Sequence, residues 1–185
     1  MGVALLPNGN VFIAGGYGYE SGVWKQLSSS AEYDVTAGTW SPIAATMNSS
    51  HGDGLVTVAL SDGRILIAGG QLAGGEATTV IDIYDPTTHT FVSSAVQRNL
   101  SVRRAFFTAH LLQDGKVVFI GGEDGVGGIT STVEVYDPVQ NLSVLQVRTM
   151  PYERRMHSSA MLLDGRVLIV GGVYTGGNTG QIFEQ

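Results

Sequence analysis

Four short apolar runs, each closed by a glycine pair, punctuate the chain: Val11-Phe12-Ile13-Ala14-Gly15-Gly16, Ile65-Leu66-Ile67-Ala68-Gly69-Gly70, Val117-Val118-Phe119-Ile120-Gly121-Gly122 and Val167-Leu168-Ile169-Val170-Gly171-Gly172. Their first glycines fall 54, 52 and 50 residues apart. A period of that size marks a repeat architecture. Each run follows a turn dipeptide, Asn8-Gly9, Asp62-Gly63, Asp114-Gly115 or Asp164-Gly165. Such pairs accept the positive φ angles of a two-residue hairpin turn, so each run is predicted to be the second arm of a hairpin. The first arm is the apolar stretch before the turn, at 3–6, 55–60, 106–112 and 158–163. Both arms are largely apolar instead of strictly alternating, which predicts strands covered on both faces.

Three copies then carry a tyrosine-aspartate signature, Ala31-Glu32-Tyr33-Asp34, Ile81-Asp82-Ile83-Tyr84-Asp85-Pro86 and Val133-Glu134-Val135-Tyr136-Asp137-Pro138. These read as a third strand ending in an Asp or Asp-Pro turn. Seven residues beyond Tyr33 and Tyr84, Trp40 and Phe91 open a short fourth strand. In the third copy that place belongs to Ser143, and an aliphatic residue among Leu142, Val144 and Leu145 is expected to pack in its stead. The unit is a four-stranded antiparallel meander, with copies at about 1–47, 48–97, 98–149 and 150–185. The last copy is incomplete, since Gln181-Ile182-Phe183-Glu184 stands at the third-strand position.

The apolar run with Gly-Gly, the later Tyr and the Trp or Phe beyond it resemble the kelch repeat, and the resemblance covers nearly the whole chain. It implies an all-β propeller in which each repeat is one blade. Closed propellers typically hold four to eight blades. A single partial propeller domain over 1–185, forming part of a larger ring, is therefore expected, with self-association as another route to closure. The resemblance implies no particular activity, because a propeller is a scaffold for many.

In a meander the turns joining strands one to two and three to four lie on one face, and here these are all short. The opposite face holds the loops after the glycine pairs and the blade-to-blade connections, where binding residues concentrate. Six of the ten cationic residues, Arg98, Arg103, Arg104, Arg148, Arg154 and Arg155, sit in or beside two of those connections. Arg103-Arg104 and Arg154-Arg155 immediately precede an innermost strand. Paired guanidinium groups there would bind a carboxylate, a sulfate or an acidic peptide. The alternative, which the kelch resemblance suggests, is a structural role with loop carbonyls or with Glu123, Asp124 and Glu153.

Composition removes several classes. The net charge of −6 argues against nucleic acid and anionic membranes as partners. No apolar run approaches the roughly 18 residues of a membrane span. With no cysteine there are no disulfides or thiolate sites. Three of the six asparagines, Asn48, Asn99 and Asn141, open glycosylation sequons, which points toward an extracellular or cell-surface setting.

The four histidines offer little chemistry. His89 lies in a turn, His110 in an apolar strand, and His51 with Asp53 lacks further spaced metal ligands. The segment Arg155-Met156-His157 resembles the one that supplies a Tyr-His copper pair in galactose oxidase, but the tyrosine position is Met156 and the cysteine such enzymes require is absent. No triad or phosphate loop is present, so neither a catalytic residue nor a cofactor is assigned. The reading is a propeller segment that binds a protein or glycan, acidic ones included, through its arginine-bearing long-loop face. The alternative is a segment of a galactose-oxidase-like or other kelch-fold enzyme whose active residues lie partly outside this chain.

Overall fold

The computed structural model describes residues 1–20, 22–93, 99–174 and 181–183. In the first blade β1 (Gly2–Leu5) and β2 (Val11–Ala14) form the expected hairpin. The chain then makes an additional hairpin, β3 (Tyr17–Glu20) and β4 (Val23–Gln26), before returning as β5 (Ser30–Asp34) and β6 (Thr39–Pro42). The sheet order is β1-β2-β5-β6, so the meander survives with a hairpin inserted in its second loop.

The second blade is β7 (Leu55–Ala59), β8 (Ile65–Gly69), β9 (Ile81–Asp85) and β10 (Thr90–Phe91), and the third is β11 (Thr108–Leu111), β12 (Val117–Ile120), β13 (Val133–Asp137) and β14 (Leu142–Leu145). Ahead of the fourth blade β15 (Arg154–Arg155) pairs with β18 (Val173–Tyr174). The blade itself is a three-stranded sheet of β16 (Ser158–Met161), β17 (Val167–Val170) and β19 (Gln181–Phe183). The innermost strands stand side by side in the order β1, β7, β11, β16.

The core lies between blades. Phe12, Ala14 and Leu6 of the first blade meet Ile65, Ile67 and Tyr84 of the second, with Phe12 and Tyr84 stacked at 4.7 Å. Leu66, Ala68, Ile81 and Ile83 meet Phe107, Val117, Phe119 and Tyr136 in the next seam. Val118, Ile120 and Val133 meet Val167 and Ile169 in the last. Central strands therefore have apolar residues on both faces, as their unbroken hydrophobicity requires.

Each third strand ends in the same device. The carboxylates of Asp34, Asp85 and Asp137 accept backbone N–H bonds two residues on, at 2.8–2.9 Å. The turn then places Gly38, His89 and Asn141 in the left-handed region, with φ of 70, 54 and 53°. His89 is 3.1 Å from the Tyr84 hydroxyl through Nδ1, and Asn141 Oδ1 accepts from the Tyr136 hydroxyl at 3.0 Å. The recurrent tyrosine thus supports a left-handed residue that is glycine only in the first blade.

Candidate functional site: the long-loop face and its blade junctions

The connections that lead into the inner strands meet the glycine pairs of the neighbouring blade. Gly16, Gly70 and Gly122 donate their N–H groups to the carbonyls of His51, Arg104 and Arg154, at 2.6, 2.8 and 2.8 Å. These bonds make His51, Arg104 and Arg154 equivalent positions. Each turns its side chain into its own blade: His51 Nδ1 lies 2.7 Å from the Gly69 carbonyl, Arg104 Nη1 donates to Gly121 at 2.7 Å, and Arg154 Nη1 donates to Gly171. A third-strand acid completes two of the sites. His51 Nε2 is 2.9 Å from Asp82, and Arg104 Nη2 is 3.4 Å from Glu134 and donates to Thr132 Oγ1 at 2.8 Å.

His51, Asp82, Arg104, Glu134 and Arg154 are all fully buried. Burial pulls the Arg104 guanidinium below its ordinary value, opposed by the Glu134 charge. Of the two roles that the sequence offers these arginines, ligand contact or a structural bond, Arg104 and Arg154 take up the structural one: their guanidinium groups point inward and tie each junction to its own blade.

Arg103 and Arg155 keep access to solvent. Arg103 pairs with Glu76, and both are about half exposed. Arg155 pairs with Glu123, which Gln71 Nε2 also approaches at 3.3 Å. Asp124, the neighbouring acid, instead accepts the backbone N–H groups of Val126 and Gly128 at 2.9 and 2.8 Å, which hold its carboxyl below the usual range. The face is therefore a set of ion pairs between adjacent loops. Arg148 borders an open depression of about 410 Å³ on the third blade, together with Leu112, Val135, Leu142 and Val144. Arg98 lies outside the described residues.

The junction of the third and fourth blades carries the other two histidines. His110 Nε2 is 2.6 Å from Ser159 Oγ, and His157 Nε2 is 3.0 Å from Thr108 Oγ1. His157 Nδ1 is buried with no hydrogen-bond partner among the described residues. Burial, with smaller contributions from Arg154 and His110, pushes the His157 pKa down to about 4. Burial also lowers that of His110. Among the described residues no three His, Asp, Glu or Cys side chains converge.

Ser143 departs from the aliphatic substitution expected of the third blade. Its hydroxyl donates to Glu134 at 2.7 Å, while Leu142, Val144 and Leu145 stay largely exposed. Of the sequon asparagines, Asn48 donates through Nδ2 to Asp82 and to the Val92 carbonyl, Asn99 is exposed, and Asn141 occupies the turn described above. No helix among the described residues is long and apolar enough to cross a membrane.

Sequence reasoning did not foresee the β3–β4 hairpin. It reaches out from the long-loop face with Tyr19 and Trp24 62% and 65% exposed. Tyr17, Trp24 and Tyr19 form one cluster, with ring centroids 6.5 and 5.4 Å apart. The alternation of Tyr17 and Tyr19, with Trp24 five residues on, is the signal that a glycine-containing loop obscured.

The kelch motif model matches residues 54–95 and 104–142. No curated protein matches the chain by sequence. Among solved structures 189 chains match, so the fold is common and selects no function by itself. The structure of YjhT is similar over 92% of this chain and 58% of its own, with a TM-score of 0.74 and 16% identity. The chain thus spans somewhat more than half the length of that relative. With two kelch motifs falling on the second and third of four successive antiparallel sheets, the fold is that of a kelch-type β-propeller.

Proposed function

We propose that this propeller segment is a protein-binding module that makes contact through the long-loop face. The observation that carries the reading is the exposed Tyr17-Tyr19-Trp24 cluster on the paired strands β3 and β4. Tyr, Trp and Arg are the residues that dominate interface energetics, and an aromatic cluster held by a hairpin loses little conformational freedom on binding. Arg103 and Arg155, paired with Glu76 and Glu123, supply a polar surround of both signs. An acidic ligand would have to displace these carboxylates, so uncharged or mixed-charge partners fit better than strongly acidic ones.

Panning a displayed random-peptide library against the chain tests this reading. Selected peptides are expected to lose about tenfold in affinity on Trp24→Ala or Tyr19→Ala. They are expected to be insensitive to Gln140→Ala in a turn of the opposite face. Peptides indifferent to both aromatic substitutions, or binding confined to a glycan array, would count against it.

A further inference from the structure

The seam between the third and fourth blades differs in kind from the one before it. By register, Thr108 and His110 of β11 stand where β7 has Val56 and Val58. Ser159 of β16 stands where β11 has Ala109, and His157 precedes its strand as Phe107 precedes its own. Between the second and third blades the inner row is therefore apolar, with Val56, Val58, Phe107 and Ala109 in one cluster. Between the third and fourth the same places hold two imidazole-hydroxyl pairs, His157 with Thr108 at 3.0 Å and His110 with Ser159 at 2.6 Å. A hydroxyl serves either a bare or a protonated ring nitrogen, so neutral rings are satisfied through Nε2. A protonated His157 would carry a second N–H, at Nδ1, which is buried with no acceptor among the described residues. The ring cannot swing clear on that side, since it lies against the glycine pair of the third blade: a Cβ on Gly121 would stand 3.0 Å from its Cε1. Burial is the main force against a charge on His157, and Arg154 and His110 add to it. On His110 burial alone acts. Arg155 spans the same junction in its pair with Glu123. Among the described residues both histidines bond to hydroxyls and neither to a carboxylate.

We infer that the seam between the third and fourth blades is an acid-operated joint, in which protonation of His110 and His157 parts β11 from β16 while the apolar seam between the second and third blades stays shut. Protonation sets two cations side by side, close to Arg154, with no carboxylate bonded to either, and water entering the parted seam relieves them. The joint is shut near neutral pH and opens as the pH falls, because parting the strands returns both rings to their ordinary affinity for protons. Opening bares Val118, Ile120 and Met150, which the shut seam covers. The event is a local one of the kind that leaves the remaining blades folded. It does not depend on the binding role of the aromatic hairpin in the first blade.

Backbone amides that bond across each seam report on it separately. Gly122 and Met156 donate across the third seam to Arg154 and Phe106, both at 2.8 Å. Gly70 and Phe106 donate across the second, to Arg104 and Gly54, at 2.8 and 2.9 Å. Residue-resolved hydrogen exchange of the unmodified chain, corrected for the intrinsic pH dependence of exchange, tests the joint. Protection of Gly122 and Met156 is expected to fall about fiftyfold between about pH 7 and 4.5 from His157 alone, given its shift from 6.5 to about 4, while Gly70 and Phe106 keep theirs. Thr108→Val, His110→Val, His157→Phe and Ser159→Ala together copy the apolar row of the second seam into the third and are expected to abolish the acid response. His110→Gln with His157→Gln keeps hydrogen-bonding side chains without a titration, and is expected to do the same should the fourfold variant not fold. Loss of protection at both seams over one pH range is global acid unfolding and would overturn the proposal. So would unchanged protection at Gly122 and Met156, or an acid response that survives both glutamines.

Discussion

Arg104 and Arg103 are adjacent in sequence and opposite in consequence. Replacing Arg104 with Ala strands Glu134 in the interior beside Ser143, and losing one partner of a buried pair costs about 3–5 kcal/mol. Arg103→Ala removes an exposed pair with Glu76, worth less than about 1 kcal/mol. Chemical denaturation of the two variants is therefore expected to separate them clearly; equal midpoints would sink the structural role of Arg104. His157 makes stability pH-dependent. Its folded pKa of about 4 lies below the ordinary histidine value of 6.5, so the unfolded chain binds more protons between these values. Stability is complete above about pH 6.5 and falls as the pH drops toward 4, by roughly 2–3 kcal/mol from this group. His157→Gln should flatten the pH profile of the melting temperature across that window. The sequence marked Arg103 and Arg104 as candidates and set His157 aside, but it did not separate the buried arginine from the exposed one. The acid that meets Arg104 lies on the third strand, a relation fixed by register and not by proximity along the chain.

At the scale of the element, the glycine pairs do more than end a strand. Gly69 has φ of 65°, and a Cβ there would stand 2.3 Å from the Arg104 carbonyl. That carbonyl accepts the neighbouring Gly70 N–H, so Gly69→Ala would push apart the junction it serves. A cost above about 3 kcal/mol is expected, combining left-handed strain with displaced backbone. Gly9 is the control, since it shares the left-handed φ but has open space where a Cβ would go. Gly9→Ala should cost only about 1–2 kcal/mol. Similar losses for both in thermal melts would show that the close approach is unimportant. The strand pairs, their turns and the Tyr-Asp ends were legible because each rests on local turn chemistry repeated in phase. The β3–β4 hairpin was not, because Gly18 interrupts its apolar pattern and its aromatic side chains face solvent where a core pattern would have them buried.

For the whole molecule, the repeat period made the architecture readable, while the burial of a repeated position was readable only by comparison between blades. Tyr33 and Tyr84 look alike in sequence, yet Tyr84 is fully buried against Phe12 and Tyr33 is only partly buried. The same comparison explains why similarity in shape outlasts similarity in residues, as with YjhT at 16% identity. The junction position accepts either His51 or Arg104, provided that a basic side chain reaches the glycine carbonyl. Its acid, Asp82 or Glu134, comes from the same blade, and the bond to the neighbour uses only backbone atoms. Gene duplication of one complete repeat would therefore copy base and acid together and leave neither charge stranded, whereas a duplication that broke within the repeat would separate them. The blade is for this reason the unit by which such a chain can lengthen without an intermediate that fails to fold.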